Sequence, residues 1–245
     1  MRAMDVMTTD VVTVDPTTSV QALAMLLSER CISGVPVVDS KDRLVGIVSE
    51  GDLMHRVETG TERLTGRRRS WWLDAIASEQ ELARDYVKSH GRTAKDVMTR
   101  DVISVTDTTE LADVAMLLET KRIKRVPVLR DGKLVGIVSR ANLVRALATT
   151  KGEAATDADS DDRTIRDKLL AELKGQEWFK AQEWFKIWAA DIIVRGGVVH
   201  FWLCDDQYEE ERRALRVAAE NITGVRRVEE HIVPASYLTA SPDRR

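Results

Sequence analysis

The sequence predicts an α+β protein built from an internal duplication followed by an unrelated smaller domain. Three observations carry that reading. "DVMTTDVVTVDPTTSVQALAMLLSERCISGVPVVDSKDRLVGIVSEGDL", from Asp5, returns as "DVMTRDVISVTDTTELADVAMLLETKRIKRVPVLRDGKLVGIVSRANL", from Asp96. Each copy mixes β-branched runs with apolar residues at helical spacing. A third stretch, beyond residue 162, carries its own helix and strand patterns and no copy of the repeat.

Both copies parse as β-α-β-β-α, so the duplication sets the architecture before any local reading. "DVVTV" and "DVISV" are short strands. In the next helix the apolar residues are Val20, Leu23, Ala24 and Leu27, then Leu111, Val114, Ala115 and Leu118. Thr and Ser residues just ahead supply N-caps. "GVPVVD" and "RVPVLR" form second strands and polar turns follow. "LVGIVS", nearly all apolar, predicts a third strand buried on both faces. Its serine then caps a helix whose first turn holds Asp52 in one copy and Asn142 in the other. A unit of this size buries little alone, so two packed by pseudo-twofold symmetry make one domain.

"DVMT", "VPVV" and "GIVSxxDL", in order and twice, resemble the CBS domain, and the tandem resembles the CBS pair or Bateman module. The resemblance covers residues 1–150 and implies adenosine nucleotides (AMP, ADP, ATP or S-adenosylmethionine) as regulatory ligands, with no cofactor required. In that family the Ser or Thr of "GIVSxxD" meets phosphate, the Asp holds the ribose, and backbone at "VPV" reads the adenine. The first motif then offers Ser49 and Asp52, with Val35 and Thr13 nearby, and the second Ser139, Val126 and Ser104. Asn142 departs from the pattern, because an amide has one acceptor oxygen and no charge. A charge-assisted hydrogen bond contributes about 1.5–3 kcal/mol against about 1 for a neutral one. The second site should bind more weakly or not at all. Lys124 and Arg125 are candidates to neutralise phosphate, where the first copy has Ser33 and Gly34. The plainer reading stays open beside this one: Asp in a first turn also serves as a dipole partner, Ser as a cap, and the basic pair as a solvated strand edge.

These patterns divide the chain into repeat 1 (1–55), a helical connecting segment (56–92), repeat 2 (93–150), an acidic linker (151–162), a third domain (163–236) and a tail (237–245). "GRRRSWW" in the connecting segment sets arginines beside aromatics, but acidic residues follow at once. A helix packing on the module or on a second copy is the favoured reading over nucleic acid, and a homodimer is expected.

In the third domain "TIRDKLLAELKG" predicts an amphipathic helix burying Ile165, Leu169, Leu170 and Leu173. "ADIIVRGG" and "VVHFWL" predict two strands around a tight turn at Gly196 and Gly197, which needs positive φ. "DQYEEERRALRVAAENITGV" is a helix with Leu215, Ala218, Ala219 and Ile222 buried, and "RRVEEHIVP" a last strand. Alternation along "VVHFWL" turns Val199, Phe201 and Leu203 inward and leaves Trp202 facing solvent. The α-β-β-α-β order with "VRGGVVHFW", "ERRALRVAAENITGV" and "VEEHIV" resembles the BON domain, which implies a phospholipid surface or an attachment partner and no active site. "QEWFK", at 176–180 and again at 182–186, reads as a local duplication.

Other classes are excluded. The net charge of -3 draws the chain toward neither nucleic acid nor an anionic membrane. The start lacks the apolar core of a signal peptide, and no run approaches the roughly 18 apolar residues of a span. Cys31 and Cys204 fall in unrelated segments, as in a reduced, cytoplasmic chain. Histidines 55, 90, 200 and 231 show no ligand spacing, so no metal site is expected. No nucleophile–base set or Walker loop is present, and the protein is read as a regulator rather than an enzyme. The expected function is adenosine-nucleotide sensing by the repeats, relayed by the third domain; the alternative is a ligand-free adaptor dimerising through the repeats.

Overall fold

The computed structural model describes residues 1–54, 56, 59–60, 86–149, 160–181, 192–205 and 209–234. "GRRRSWW", most of the connecting segment, the second "QEWFK" and the tail lie outside them. In chain order the first elements are α1 (Ala3–Val6), α2 (Val20–Glu29), β1 (Gly34–Val38), β2 (Leu44–Ser49), α3 (Glu50–Leu53) and α4 (Ala94–Val97). Repeat 2 continues with β3 (Val105–Thr106), α5 (Leu111–Thr120), β4 (Arg125–Arg130), β5 (Lys133–Ser139) and α6 (Arg140–Ala148). The last are α7 (Ser160–Gly175), α8 (Glu177–Ala181), β6 (Ile192–Arg195), β7 (Val198–Cys204), α9 (Glu209–Glu220) and β8 (Arg227–Val233). The chain forms two units: residues 12–102, and residues 1–11 together with 103–245.

In the 12–102 unit, β1 and β2 form an antiparallel hairpin, Gly34 opposite Ser49 and Val35 opposite Val48. Ser19 accepts from the Ala22 N–H at 3.2 Å and caps α2, which buries Leu23 and Leu27. The "DVMT" of repeat 2 packs here: Ala94, Val97 and Met98 join Val14, Leu23, Leu27, Val35, Val37 and Val48 in one core. Asp96 closes the α4 turn by accepting from the Thr93 N–H and hydroxyl. That hydroxyl bond, foremost, holds its carboxyl below the usual range. Thr99 and Ile47 exchange both backbone bonds, at 2.9 and 3.0 Å. This contact explains the glycine of "LVGIVS". A Cβ on Gly46 would stand 2.3 Å from the Met98 sulfur, so only glycine lets the methionine seat as it does.

The other unit repeats the scheme with the straps exchanged. The N-terminal "DVMT" packs on repeat 2: Ala3, Val6 and Met7 share a core with Val114, Leu118, Val126, Val128 and Val138. Thr8 and Ile137 exchange backbone bonds, and Met7 lies over Gly136. Both copies are therefore completed by the other copy's first residues, which the repeat alone does not announce. The first strands are also shorter than expected. Val14 makes only an isolated bridge to Val37, and β3 has two residues pairing parallel with β4. In copy 1, Asp15 explains the stop: it accepts from the Thr17 N–H and hydroxyl and turns the chain. The expected hydroxyl cap fails on α5, where Glu110 is the N-cap without a side-chain cap bond and meets Arg2 at 3.3 Å.

The third segment packs within this second unit. Its order is α7-α8-β6-β7-α9-β8, with β6 antiparallel and β8 parallel to β7. Gly196 and Gly197 take φ of 56° and 75°, and Asp162 accepts from both of their N–H groups at 2.7 and 2.8 Å. One sheet face packs on α7 and α9 through Ile165, Leu169, Leu173, Phe201, Leu203 and Leu215. The opposite face is covered too. Trp202 is 6% exposed and lies with Ile193 in the core shared with Ala3, Val6 and Met7. The expectation that Trp202 faces solvent is thus corrected: strand alternation gives two faces, and here the N-terminal strap and repeat 2 cover the second.

Candidate functional site

The turn from the last strand of each repeat into the following helix is built the same way in both copies. In the 12–102 unit, Ser49 ends β2 and Asp52 sits in α3. Asp52 Oδ2 accepts from the Ser49 N–H at 2.9 Å and from its hydroxyl at 2.8 Å. Lys88 Nζ donates to Asp52 Oδ1 at 2.6 Å. Arg56, 3% exposed, donates to the carbonyls of Lys88 and Gly91 and so anchors the segment that presents Lys88. Val35 is buried and its backbone pairs with Val48, while Thr13 is exposed just ahead of the Val14 bridge. Fold and sequence thus place Ser49, Asp52 and Val35 around one strand end, with Thr13 on the adjoining segment.

In the other unit Ser139 ends β5, and Asn142 Oδ1 accepts from its N–H and hydroxyl at 2.8 and 2.7 Å. Asn142 Nδ2 donates to the Val6 carbonyl at 3.0 Å and approaches the Thr8 hydroxyl at 3.4 Å. The departure from Asp therefore has a physical cause. Asn142 accepts on one side and donates on the other, which an ionised carboxylate in its place could not do. Arg125 pairs with Ser139, and Val126 with Val138. Lys124 is exposed, its carbonyl accepting from the Arg140 N–H. Ser104 is half-buried just before β3. The residues singled out in the two copies lie in separate units.

Sequence reasoning missed Lys88 and the Val6 and Thr8 partners of Asn142. Lys88 carries no signal, since its partner lies 36 positions away. The Val6 and Thr8 contacts were hinted at only by the recurrence of "DVMT".

A doubled β-α-β-β-α module with Ser-x-x-Asp/Asn turns is the class that these features define. The CBS domain family model matches residues 3–59 and 94–149, and the chain belongs to that family as a tandem pair. The chloroplastic CBS domain-containing protein CBSX2 of Arabidopsis thaliana is 36% identical over 147 residues, 57% of this chain and 60% of that protein. An uncharacterized protein of Methanocaldococcus jannaschii, MJ1426, is 36% identical over 130 residues, covering 50% of this chain and 77% of its own length. The crystal structure of CBSX2 in complex with AMP matches with a TM-score of 0.52 at 35% identity, over 61% of this chain and 98% of that one. The chain spans 60% and 61% of the two plant relatives it matches, CBSX2 and CBSX1. Among the described residues no helix is long and apolar enough to cross a membrane.

Proposed function

We propose that the protein is a non-catalytic regulator whose CBS pair binds an adenosine nucleotide, chiefly through Asp52. The observation that carries this reading is the placement of that carboxylate at the strand-to-helix turn, in a chain 35% identical to a protein crystallised with AMP. Ser49 stands where the family places its phosphate contact, the Val35 backbone is assigned to the adenine, and Thr13 to the adjoining edge. Ser139, Val126, Ser104, Lys124 and Arg125 form the weaker counterpart, with Asn142 committed to Val6.

One observation favours the adaptor alternative: both Asp52 oxygens are already engaged, one by Ser49 and one by Lys88. A ribose must share or displace the lysine, which costs little because a partly exposed ion pair contributes only about 0–1 kcal/mol. Thermal melting with AMP, ADP, ATP and S-adenosylmethionine, read beside the mass from light scattering, separates the readings. Sensing predicts a rise in Tm with at least one nucleotide, lost in Asp52→Ala. Flat melts with every nucleotide, on a particle of two chains, leave the adaptor. A homodimer is proposed from the resemblance to CBS pairs; α2 and α5 each expose a methionine at matching positions, Met25 (61%) and Met116 (64%).

The third segment is proposed to act as a BON domain toward a phospholipid surface or protein partner. Arg216, Glu220, Val225, Arg226, Arg227 and Val228 line a groove between α9 and β8; Arg216 pairs with Glu230 and Arg227 with Glu229, so an anionic partner would share these two arginines with the carboxylates they already hold. Co-sedimentation with phosphatidylglycerol vesicles checks the lipid arm; retention equal to that on neutral vesicles sinks it. The free, exposed Cys31 accords with a reducing, cytoplasmic location.

A further inference from the structure

We propose that His200, Glu229 and His231 form a binding site for a divalent transition-metal cation of the zinc class. Register creates it. β7 runs parallel to β8, with His200 opposite Glu229 and Trp202 opposite His231. Alternate residues share a strand face, so parallel pairing sets all three ligands on one side of the sheet. Their distance in sequence hid this, because β7 and β8 are joined through α9 and not by a hairpin.

The separations suit one ion. His200 Nδ1 lies 3.0 Å from His231 Nε2 and 3.4 Å from Glu229 Oε2. One ligand atom from each residue lies within 4.8 Å of the other two. Zinc bonds of about 2.0–2.2 Å in a tetrahedron set ligand–ligand edges of about 3.3–3.6 Å, so small side-chain adjustments bring the atoms onto a shared cation. Two imidazoles and one carboxylate are donors that zinc, nickel and copper accept, whereas magnesium and calcium seek oxygen alone.

The surroundings hold the ligands in place. The His231 ring stacks on Trp202, centroids 4.5 Å apart and planes 17° apart. His200 is 4% exposed. Arg227 binds Glu229 Oε1, while Oε2 is turned toward His200. Such outer contacts orient metal-binding side chains. Glu229 and His231 are half-buried on β8, an edge strand of the sheet, which gives an ion access. Three protein ligands leave the fourth position to water. The ion would clamp β8 to β7.

The test uses the full chain, stripped with a chelator and titrated with Zn²⁺ by calorimetry and with Co²⁺ by visible absorption. The expected result is one zinc per chain and the intense Co²⁺ bands of four-coordination. His231→Ala and Glu229→Gln, both at partly exposed positions, should each weaken zinc binding by about tenfold or more, while circular dichroism stays unchanged. His90→Ala, in the other unit, should bind as the parent does. Absence of zinc binding by the intact chain, or binding that survives both β8 variants unchanged, overturns the site.

Discussion

Arg166→Met should lower the free energy of unfolding by about 3–5 kcal/mol, because three backbone carbonyls lose a buried donor at about 1–3 kcal/mol each. Arg166 is 3% exposed. Its guanidinium donates to the Ile192 carbonyl at 2.7 Å, to Met4 at 3.0 Å and to Met7 at 2.7 Å. Three segments far apart in sequence, α1, α7 and β6, thus converge on one side chain. Burial, foremost, pushes its pKa down to about 10, still far above neutrality, so it enters the fold charged. A base whose folded value lies below its unfolded one adds stability only as pH climbs through that interval, well above the working range. Methionine keeps the volume but leaves carbonyls unpaired, each costing about 1–3 kcal/mol. Urea denaturation followed by circular dichroism gives the number; a loss below about 1 kcal/mol would mean that water replaces the guanidinium without penalty. Arg163, which bonds Asp5 at 2.7 Å, is the secondary tie between the same helix and strap.

The repeat made the hairpins, the α2 and α5 faces and the Ser-x-x-Asp/Asn turns legible, because each is set by local pattern and spacing. The core faces of α7 and β7 were legible for the same reason. What periodicity could not show was which partner each face meets. "DVMT" reads as the start of its own copy, yet Met7 rests on Gly136 and Met98 on Gly46, so each strap completes the opposite copy. Trp202 alternates outward by pattern and is nevertheless buried, since a second core lies beyond the sheet. Arg166 reads as the polar side of an amphipathic helix until three carbonyls are seen around it. Lys88 and the histidine pair escape for the same reason: parallel pairing and long-range ion pairs leave no spacing in the sequence.

Asn142→Asp offers the sharpest test of whether the two repeats diverged for structural reasons, because it installs the residue that the family pattern favours and should still do harm. The Ser139 side of the site would tolerate a carboxylate, as Ser49 tolerates Asp52. The far side would not. There Nδ2 donates to the Val6 carbonyl at 3.0 Å, and a carboxylate would set oxygen against oxygen at a position 3% exposed. In the other copy Lys88 supplies the counter-charge at 2.6 Å; here the strap presents the Val6 carbonyl and, at 3.4 Å, the neutral Thr8 hydroxyl, neither of which carries a counter-charge. Burying a charge without a counter-charge and orphaning a buried acceptor together cost about 2–4 kcal/mol. The penalty should shrink at acid pH, where the new carboxyl protonates and can donate to Val6 in the amide's place. The reciprocal Asp52→Asn removes only a partly exposed ion pair and should cost less than about 1 kcal/mol. Equal losses in the two variants at pH 7 would show that the strap carbonyl does not discriminate, and the asymmetry of the repeats would then need another cause.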